Sequence, residues 1–569
     1  MKPGTLVLLA SALLQLDPVK GAEEPDPAPT FNKTIAPIIF QHCAPCHRPG
    51  QAGPFNLLGY ADVKKHAADI VSATQKRYMP PWLPEPGCGD FLDERRLAAD
   101  KIELIKKWFA AGAAEGAPSD LPPLPKWTDE WFLGPPDLIV TLPQTYTLGA
   151  EGKDVYRNFV VPVPLTETRF VKALEFRPNS KAVHHARILI DTTRQARRLE
   201  AQESEPGFGG MSVPARFPPG QLLTWAPGTV PSRRGEELPW AFEAGSDVVL
   251  QMHLQRTGRP ETVGPTIGIY FTDSAPKKFA SLLGLMSQVI EIPPGATNYV
   301  VQRSLTLPAD VDLLAVMPHA HYLGKEVRGY ATLPGGEKRC LLSITNWDFN
   351  WQGEYRYRNP LFLPKGSVIS MEWRLDNSSD NPRNPNHPPK KIVYGPQSTD
   401  EMAELWLQVL PRDQNELTLL NAENRRVGLV ESVAYFENAL RTNPTNAIAH
   451  SELGKNLGPL GREEEAFEHF KQAADLNGAL AEPHYFIGLM LFNRGRMDEA
   501  RTAFENAIRR DANYLKAHDG LGLIAMAGGD FAGAEKHFRN ALRLNPDDAA
   551  AKNGLARALK AKGGADPGK

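Results

Sequence analysis

One spacing constrains this chain more than any other. From about residue 430 onward, the sequence repeats every 34 residues. His450, His484 and His518 fall in phase, as do Gly454, Gly488 and Gly522, and again Gly461, Gly495 and Gly529. Ala466, Ala500 and Ala534 follow the same period, with Phe470, Phe504 and Phe538, and the register reaches back to Phe436 and Ala439. A unit of this length holds two short helices and cannot bury an apolar face alone, so neighbouring units must stack. The phased small and aromatic residues are expected at the seams. The phased histidines are read as interface residues of the stack and not as metal ligands. Three full repeats follow a partial one, and AAAKNGLARALKAKG supplies a closing helix.

The pattern resembles the tetratricopeptide repeat, which implies an α-solenoid over residues 428–563 that docks a protein partner. Upstream the texture is different. DLIVTL, YRNFVVPV, ARILID, DVVLQMHL, DLLAVMPHAHYL and SVISMEWRL are short β-type runs separated by turn residues, and Pro (51) and Gly (47) are plentiful. Such runs predict antiparallel sandwiches. Their span is large for one sandwich, so two β domains are expected, 128–275 and 276–412. A Pro-rich linker, 116–127, precedes them. Residues 30–115 read as a small all-α domain: Ile35, Ile38, Ile39 and His42 have helical spacing, and LAADKIELIKKWFAAGA is amphipathic and ends in Gly. The expected fold class is therefore multidomain, with a small helical domain, two β sandwiches and a C-terminal solenoid.

Residues 1–22 read as a secretory signal peptide: Lys2, an apolar stretch from Leu6 to Leu16, then small residues at Gly21 and Ala22. The expected location is periplasmic or secreted. No other run of about eighteen apolar residues occurs, so stable membrane insertion is not expected. The net charge of −2 gives no electrostatic argument for nucleic acid. Of four cysteines, Cys43 and Cys46 belong to a motif described next. Cys88 and Cys340 are far apart and in different expected domains, so they are expected not to pair, leaving the β domains to be held by their cores alone.

CAPCH, residues 43–47, places Cys43, Cys46 and His47 on consecutive turns. Both thiols can then attach haem vinyl groups while His47 reaches the iron. Met79, in RYMPPWLP, is the expected sixth ligand. The stretch MPPWLPEPGCGDFLDERRL resembles mono-haem cytochromes c fused to bacterial enzymes, which implies a covalent haem c domain.

Within the β region stand five histidines and one methionine. His319 and His321 form an HxH pair, and residues i and i+2 on a strand point to the same side. His184 and His185 are neighbours, which a regular strand aims to opposite faces. Both meet one ion only if the strand bulges or ends there, so the residues alone select one of the two. His253 lies in LQMH, Met402 in TDEM, and Met371 in ISMEWRL is a rival sulfur read as core. Imidazoles with a thioether suit copper in both oxidation states. Order and context resemble the copper type II, ascorbate-dependent monooxygenases, the peptidylglycine and dopamine hydroxylases. The resemblance spans roughly residues 130–412 and implies two separate copper sites: His184, His185 and His253 storing an electron, and His319, His321 and Met402 binding O2. It implies hydroxylation of a C–H bond in a small organic substrate. Electrons would come through the haem from a periplasmic donor protein, with ascorbate or another one-electron reductant in the same role. The peptide-amidating branch has an Arg, an Asn and a Tyr where this chain has Met317, Glu404 and Trp406, so a peptide carboxylate would meet no matching clamp. The competing reading is a non-catalytic copper and haem redox sensor or adaptor acting through its repeats.

Overall fold

A computed structural model describes residues 1, 28–49, 53–126, 131–210, 213–229, 231, 238–546 and 548–564. The expected signal peptide lies outside the described residues except for Met1. The chain divides into two compact units, Met1–Pro81 with Arg95–Lys126, and Trp82–Glu94 with Trp127–Lys569.

The first unit is helical. Its helices are Ala36–His42, Tyr60–Lys65, Ala67–Gln75 and Ala99–Ala110. Phe31, Ile35, Ile39, Ile105 and Trp108 recur at helical spacing and are at most 1% exposed, so they form its core. Gly112 takes φ +88°, a left-handed position that closes the last helix at low steric cost.

The segment Trp82–Glu94 departs from the sequence expectation, which placed it in the helical domain. It packs on the β region. Glu85 N–H donates to Ser343 O (2.7 Å), Leu92 N–H to Arg356 O (2.8 Å), and Arg358 N–H to Asp90 O (2.8 Å). Phe91 is 3% exposed among Trp82, Tyr355 and Tyr357. This placement corrects the expectation for the cysteines: Cys88 and Cys340 form a disulfide, their Cα atoms 5.3 Å apart. Their sequence separation of 252 hid the pairing, because strand-like pairing of the segment brings the two together.

The β region has two halves. In the first, a four-stranded sheet runs in the order Leu138–Thr141, Thr266–Thr272, Arg169–Arg177, Trp240–Phe242. A five-stranded sheet runs Phe208–Gly209, Val155–Pro162, Asp247–Leu254, Val183–Asp191, Thr224–Trp225. Both turn alternate residues into one core, including Val171, Phe176 and Ile269 from one sheet and Phe159, Ile188 and Leu250 from the other. The second half begins at Ser281–Met286. That strand pairs with Ala403–Pro411, followed by Val311–Ala320 and Tyr355–Leu363. The facing sheet is Tyr299–Thr306, Val368–Leu375, Gly324–Thr332 and Lys338–Ile344. Leu405, Leu407 and Val316 meet Val327, Ile369 and Trp373 in the second core, which also holds Met371 at 1% exposure.

A 29-residue helix, Gln414–Thr442, continues the chain. Its first half lies against the strand Ser281–Met286: Asn424 accepts from Gly284 N–H (2.9 Å), Ser281 Oγ donates to Asn421 (2.7 Å), and Leu420 enters the second core. The repeat register at 428 therefore starts in mid-helix. Among the described residues seven further α-helices follow, each packed on the one before it, to Gly564. The phased glycines have two physical reasons. A Cβ at Gly454, Gly488 or Gly522 would stand 2.9, 2.7 or 2.7 Å from the ring of Phe470, Phe504 or Phe538, so the ring needs a bare backbone to pack on. Gly461, Gly495 and Gly529 take φ of +79°, +74° and +77° at the helix-to-helix turns. His450 and His518 are buried interface residues, donating from Nε2 to Pro444 O (2.9 Å) and Ala512 O (3.2 Å). Among the described residues no helix is long and apolar enough to cross a membrane.

Candidate metal centre

The strand Val183–Asp191 pairs with Asp247–Leu254, and its register slips between Val183 and His185. Val183 opposes Leu254 and His185 opposes His253, so His184 is the extra residue of a bulge. The slip does what a regular strand forbids, bringing neighbouring imidazoles to one place. Ligand atoms of His184, His185 and His253 all lie within 4.8 Å of one another.

The details fit a metal. His253 Nδ1 and His185 Nε2 are 3.3 Å apart. Two nitrogens each about 2.0 Å from a tetrahedral ion are separated by about 3.3 Å. Neither ring nitrogen of buried His184 makes a well-formed hydrogen bond, although the Asn350 side chain acts on the ring, a costly state that a bound ion would relieve. His253 Nε2 donates to Asp154 Oδ2 (2.9 Å), which leaves Nδ1 directed at the site. Tyr156 stacks on that ring at 4.2 Å and its hydroxyl is 3.2 Å from Nδ1.

The strand Val311–Ala320 brings His319, with His321 following its end. The strand Ala403–Pro411 lies beside it, with His319 opposite Glu404 and Met317 opposite Trp406. Met402 precedes that strand and is two residues from Glu404, so this register sets it on the face of His319 and His321. Met402 is 9% exposed. His319 Nδ1 is held by the Gln352 side-chain carbonyl. His321 Nδ1 donates to Asp400 O (3.1 Å), and both rings keep Nε2 for a ligand bond. The buried Glu401 carboxylate accepts from the N–H groups of His321, Leu323 (2.9 Å) and Met402 (2.8 Å). Burial pushes its carboxyl up to about 8 against the pull of those three donors.

The histidines of the two expected ligand sets stand side by side, with the ring centroids of His185 and His319 6.2 Å apart. Phe349 sits among them, stacked on His184 at 4.5 Å and 5.5 Å from His321. The cause is tertiary: each half turns the outer face of one sheet toward the other, and each face carries histidines. Burial, then the neighbouring imidazoles, lowers His184 to about 3 and holds His185 well below the usual histidine range. His321 is likewise well below it, and His253 is lowered by burial despite Asp154. All four are thus neutral at physiological pH, the form a metal requires.

Sequence reasoning missed Asp154, Tyr156, Gln352, Ser398 and Arg187, since none stands in a motif. Arg187 shares the face of His185, donates to Gln251 Oε1 (3.0 Å), lies over the Phe217 ring and feels the Glu404 carboxylate. Trp406 Nε1 donates to Glu404 (2.7 Å), and Thr224 Oγ1 meets the Met317 sulfur at 3.5 Å.

In the helical unit, Cys46 N–H (3.1 Å) and His47 N–H (2.9 Å) both donate to Cys43 O, so one turn carries all three side chains. Both thiols are free, and burial pushes that of Cys43 up to about 12. His47 donates from Nδ1 to Phe55 O (3.1 Å), leaving Nε2 available as an axial ligand. These three side chains are the ones expected from the CAPCH motif. Met79 lies in the loop after Ala67–Gln75, its N–H bonded to Ala73 O (3.2 Å).

Comparison with known proteins defines one part of the chain. Sequence models of the tetratricopeptide repeat match residues 481–514 and 520–563. The chain is thus a multidomain protein whose large β-rich region is followed by tetratricopeptide repeats. Solved structures with similarity include MamA, at 22% identity over 26% of this chain and 85% of that one, TM-score 0.23. Another is the first TPR of Spaghetti (RPAP3) bound to HSP90 peptide SRMEEVD, at 20% identity over 21% and 93%, TM-score 0.20. A third is the Arabidopsis OM64 TPR domain, at 23% identity over 20% and 94%, TM-score 0.20. No curated protein matches the chain.

Proposed function

We propose that this protein is an exported copper-dependent monooxygenase that hydroxylates a C–H bond of a small organic molecule with O2. The observation that carries the reading is the bulge at His184, which gathers His184, His185 and His253 within ligand distance. A bulge that gathers three imidazoles and leaves the ring nitrogens of a buried one without a well-formed hydrogen bond is the arrangement a metal site requires.

His184, His185 and His253 would hold one ion, and His319, His321 and Met402 the other. Bound there, copper would supply one-electron redox chemistry and a place for O2. The protein's own contribution is orientation and shielding. Asp154, Gln352 and the Asp400 carbonyl each occupy the second nitrogen of a ligand imidazole. Phe349 covers the rings, and the thioether of Met402 favours the reduced ion. Met317 and Trp406 offer apolar contact to a substrate beside the cluster. The free thiols of Cys43 and Cys46 with His47, and Met79 as sixth ligand, would carry haem c as the electron entry. The repeats would dock a protein partner, and a periplasmic electron donor fits that role.

The test is metal and product analysis on protein matured in a haem-attaching, copper-replete periplasm. One covalent haem and two coppers per chain are expected, with a product carrying one atom of labelled O2. A single copper would overturn the two-site reading. Full metal content without turnover on any screened substrate would favour the redox sensor.

A further inference from the structure

We infer that Ser398 and Asp154 are positioning residues that couple the two ligand sets, so that filling the three-histidine set favours Met402 ligation in the other. The inference rests on the copper reading above and adds a coupling between its two ligand sets.

Asp154 Oδ2 accepts two hydrogen bonds, from His253 Nε2 (2.9 Å) and from Ser398 Oγ (2.7 Å). The first comes from the β half that contains Asp154 and the second from the other half, 244 residues along the chain. Ser398 is 8% exposed and stands four residues before Met402. The short segment 398–402 thus does three things. Ser398 reaches the support of His253. The Asp400 carbonyl holds His321 Nδ1, and Glu401 ties the backbones of His321 and Met402 to one carboxylate. Met402 itself ends the segment. One stretch of five residues therefore touches the outer support of the first set and supplies a ligand to the second.

The physical coupling follows. An ion on His253 Nδ1 removes the ring's freedom and fixes its proton on Nε2, where the Asp154 carboxylate is the acceptor. Hydrogen bonds to a charged acceptor are strong and directional. Asp154 is then held in place for Ser398, and the segment carrying Met402 is ordered before the second ion arrives. The second ion no longer bears that ordering cost, which is positive cooperativity, and by linkage the effect is reciprocal.

The experiment titrates the copper-stripped full chain with Cu(I) against a competing chelator and reads X-ray absorption at one and two equivalents. In the wild type the two ions should fill together, so copper–sulfur scattering is already present at one equivalent. Ser398→Ala should fill in order. Its first ion would show nitrogen ligands alone, and its second would bind more weakly by about 5- to 150-fold, the usual range of such couplings. Ser398→Thr keeps the hydroxyl and should restore joint filling. Asp154→Asn should weaken the first ion by about 10- to 100-fold, as loss of such a support does. Circular dichroism of each variant confirms the fold. Joint filling in Ser398→Ala, with sulfur scattering equal to wild type at one equivalent, would overturn the inference while leaving two copper sites intact. A wild type that binds fewer than two ions would overturn the copper reading itself.

Discussion

Removing the Cys88–Cys340 disulfide should destabilise the β-rich unit, and the size of the effect can be worked from the connectivity. The bridge closes a loop of 252 residues. In the chain-entropy treatment such a loop restricts the unfolded state by about 5.5 kcal/mol at 25 °C. That is a ceiling, because residual order in the unfolded chain reduces it, and native bridges commonly contribute about 2–5 kcal/mol. The double variant Cys88→Ala with Cys340→Ala should therefore lower the transition of this unit by roughly 5–10 °C, at a few degrees per kcal/mol for a region of this size. Differential scanning calorimetry resolves the transition, and proteolysis should reveal new cleavage within 82–94. Cys340 is exposed, so a reductant should reproduce the shift in the wild type. Cys43 and Cys46 are not part of the bridge and stay in place. A double variant that melts within 1 °C of wild type and resists cleavage would refute the reasoning. It would show that Phe91 and the three backbone hydrogen bonds hold the segment unaided. Persistence of such a bridge also requires an oxidising compartment, which supports the proposed export.

Met402→His should keep copper bound but abolish hydroxylation, because a harder ligand set disfavours Cu(I); a variant that retains turnover would show that the thioether is dispensable. Cys43→Ala with Cys46→Ala should remove covalent haem while sparing turnover with ascorbate and abolishing turnover with a reduced cytochrome; equal rates with a protein donor would exclude the haem as electron entry. Burial, then nearby Asp548, raises the Asp519 carboxyl from 3.8 to about 6, and its Oδ1 has no hydrogen-bond partner. A raised carboxyl is tolerated while protonated and penalises the fold as pH rises through 6. Discounted for partial exposure, Asp519→Asn should stabilise the repeats by about 1 kcal/mol at pH 7.5 and by little at pH 4.5; an equal gain at both values in thermal melts would refute the assignment.

Some of this protein is written in local periodicity. The 34-residue spacing encodes which Phe meets which Gly, since Gly488 and Phe504 lie in successive helices of one unit and need no distant partner. Alternation along DVVLQMHL and ARILID encodes strands, and the HxH of His319 and His321 encodes a shared face. The residue types, together with the family resemblance they carry, are what suggest copper and haem as the proposed chemistry. What alternation does not encode is register between strands far apart in sequence, because a slip of one residue costs little locally and moves every side chain to the other face. The bulge at His184, the approach of His185 to His319, the bond from Ser398 to Asp154 and the pairing of Cys88 with Cys340 all depend on such registers. The bulge joins strands about 60 residues apart within one half, and the other three join segments that packing of the two β halves, or of 82–94 against them, brings together. The sequence alone therefore determined the helical repeats and the inventory of residues proposed as ligands. Tertiary structure decided how those residues meet, because strand order and sheet packing are set by the burial of whole faces and not by any single motif.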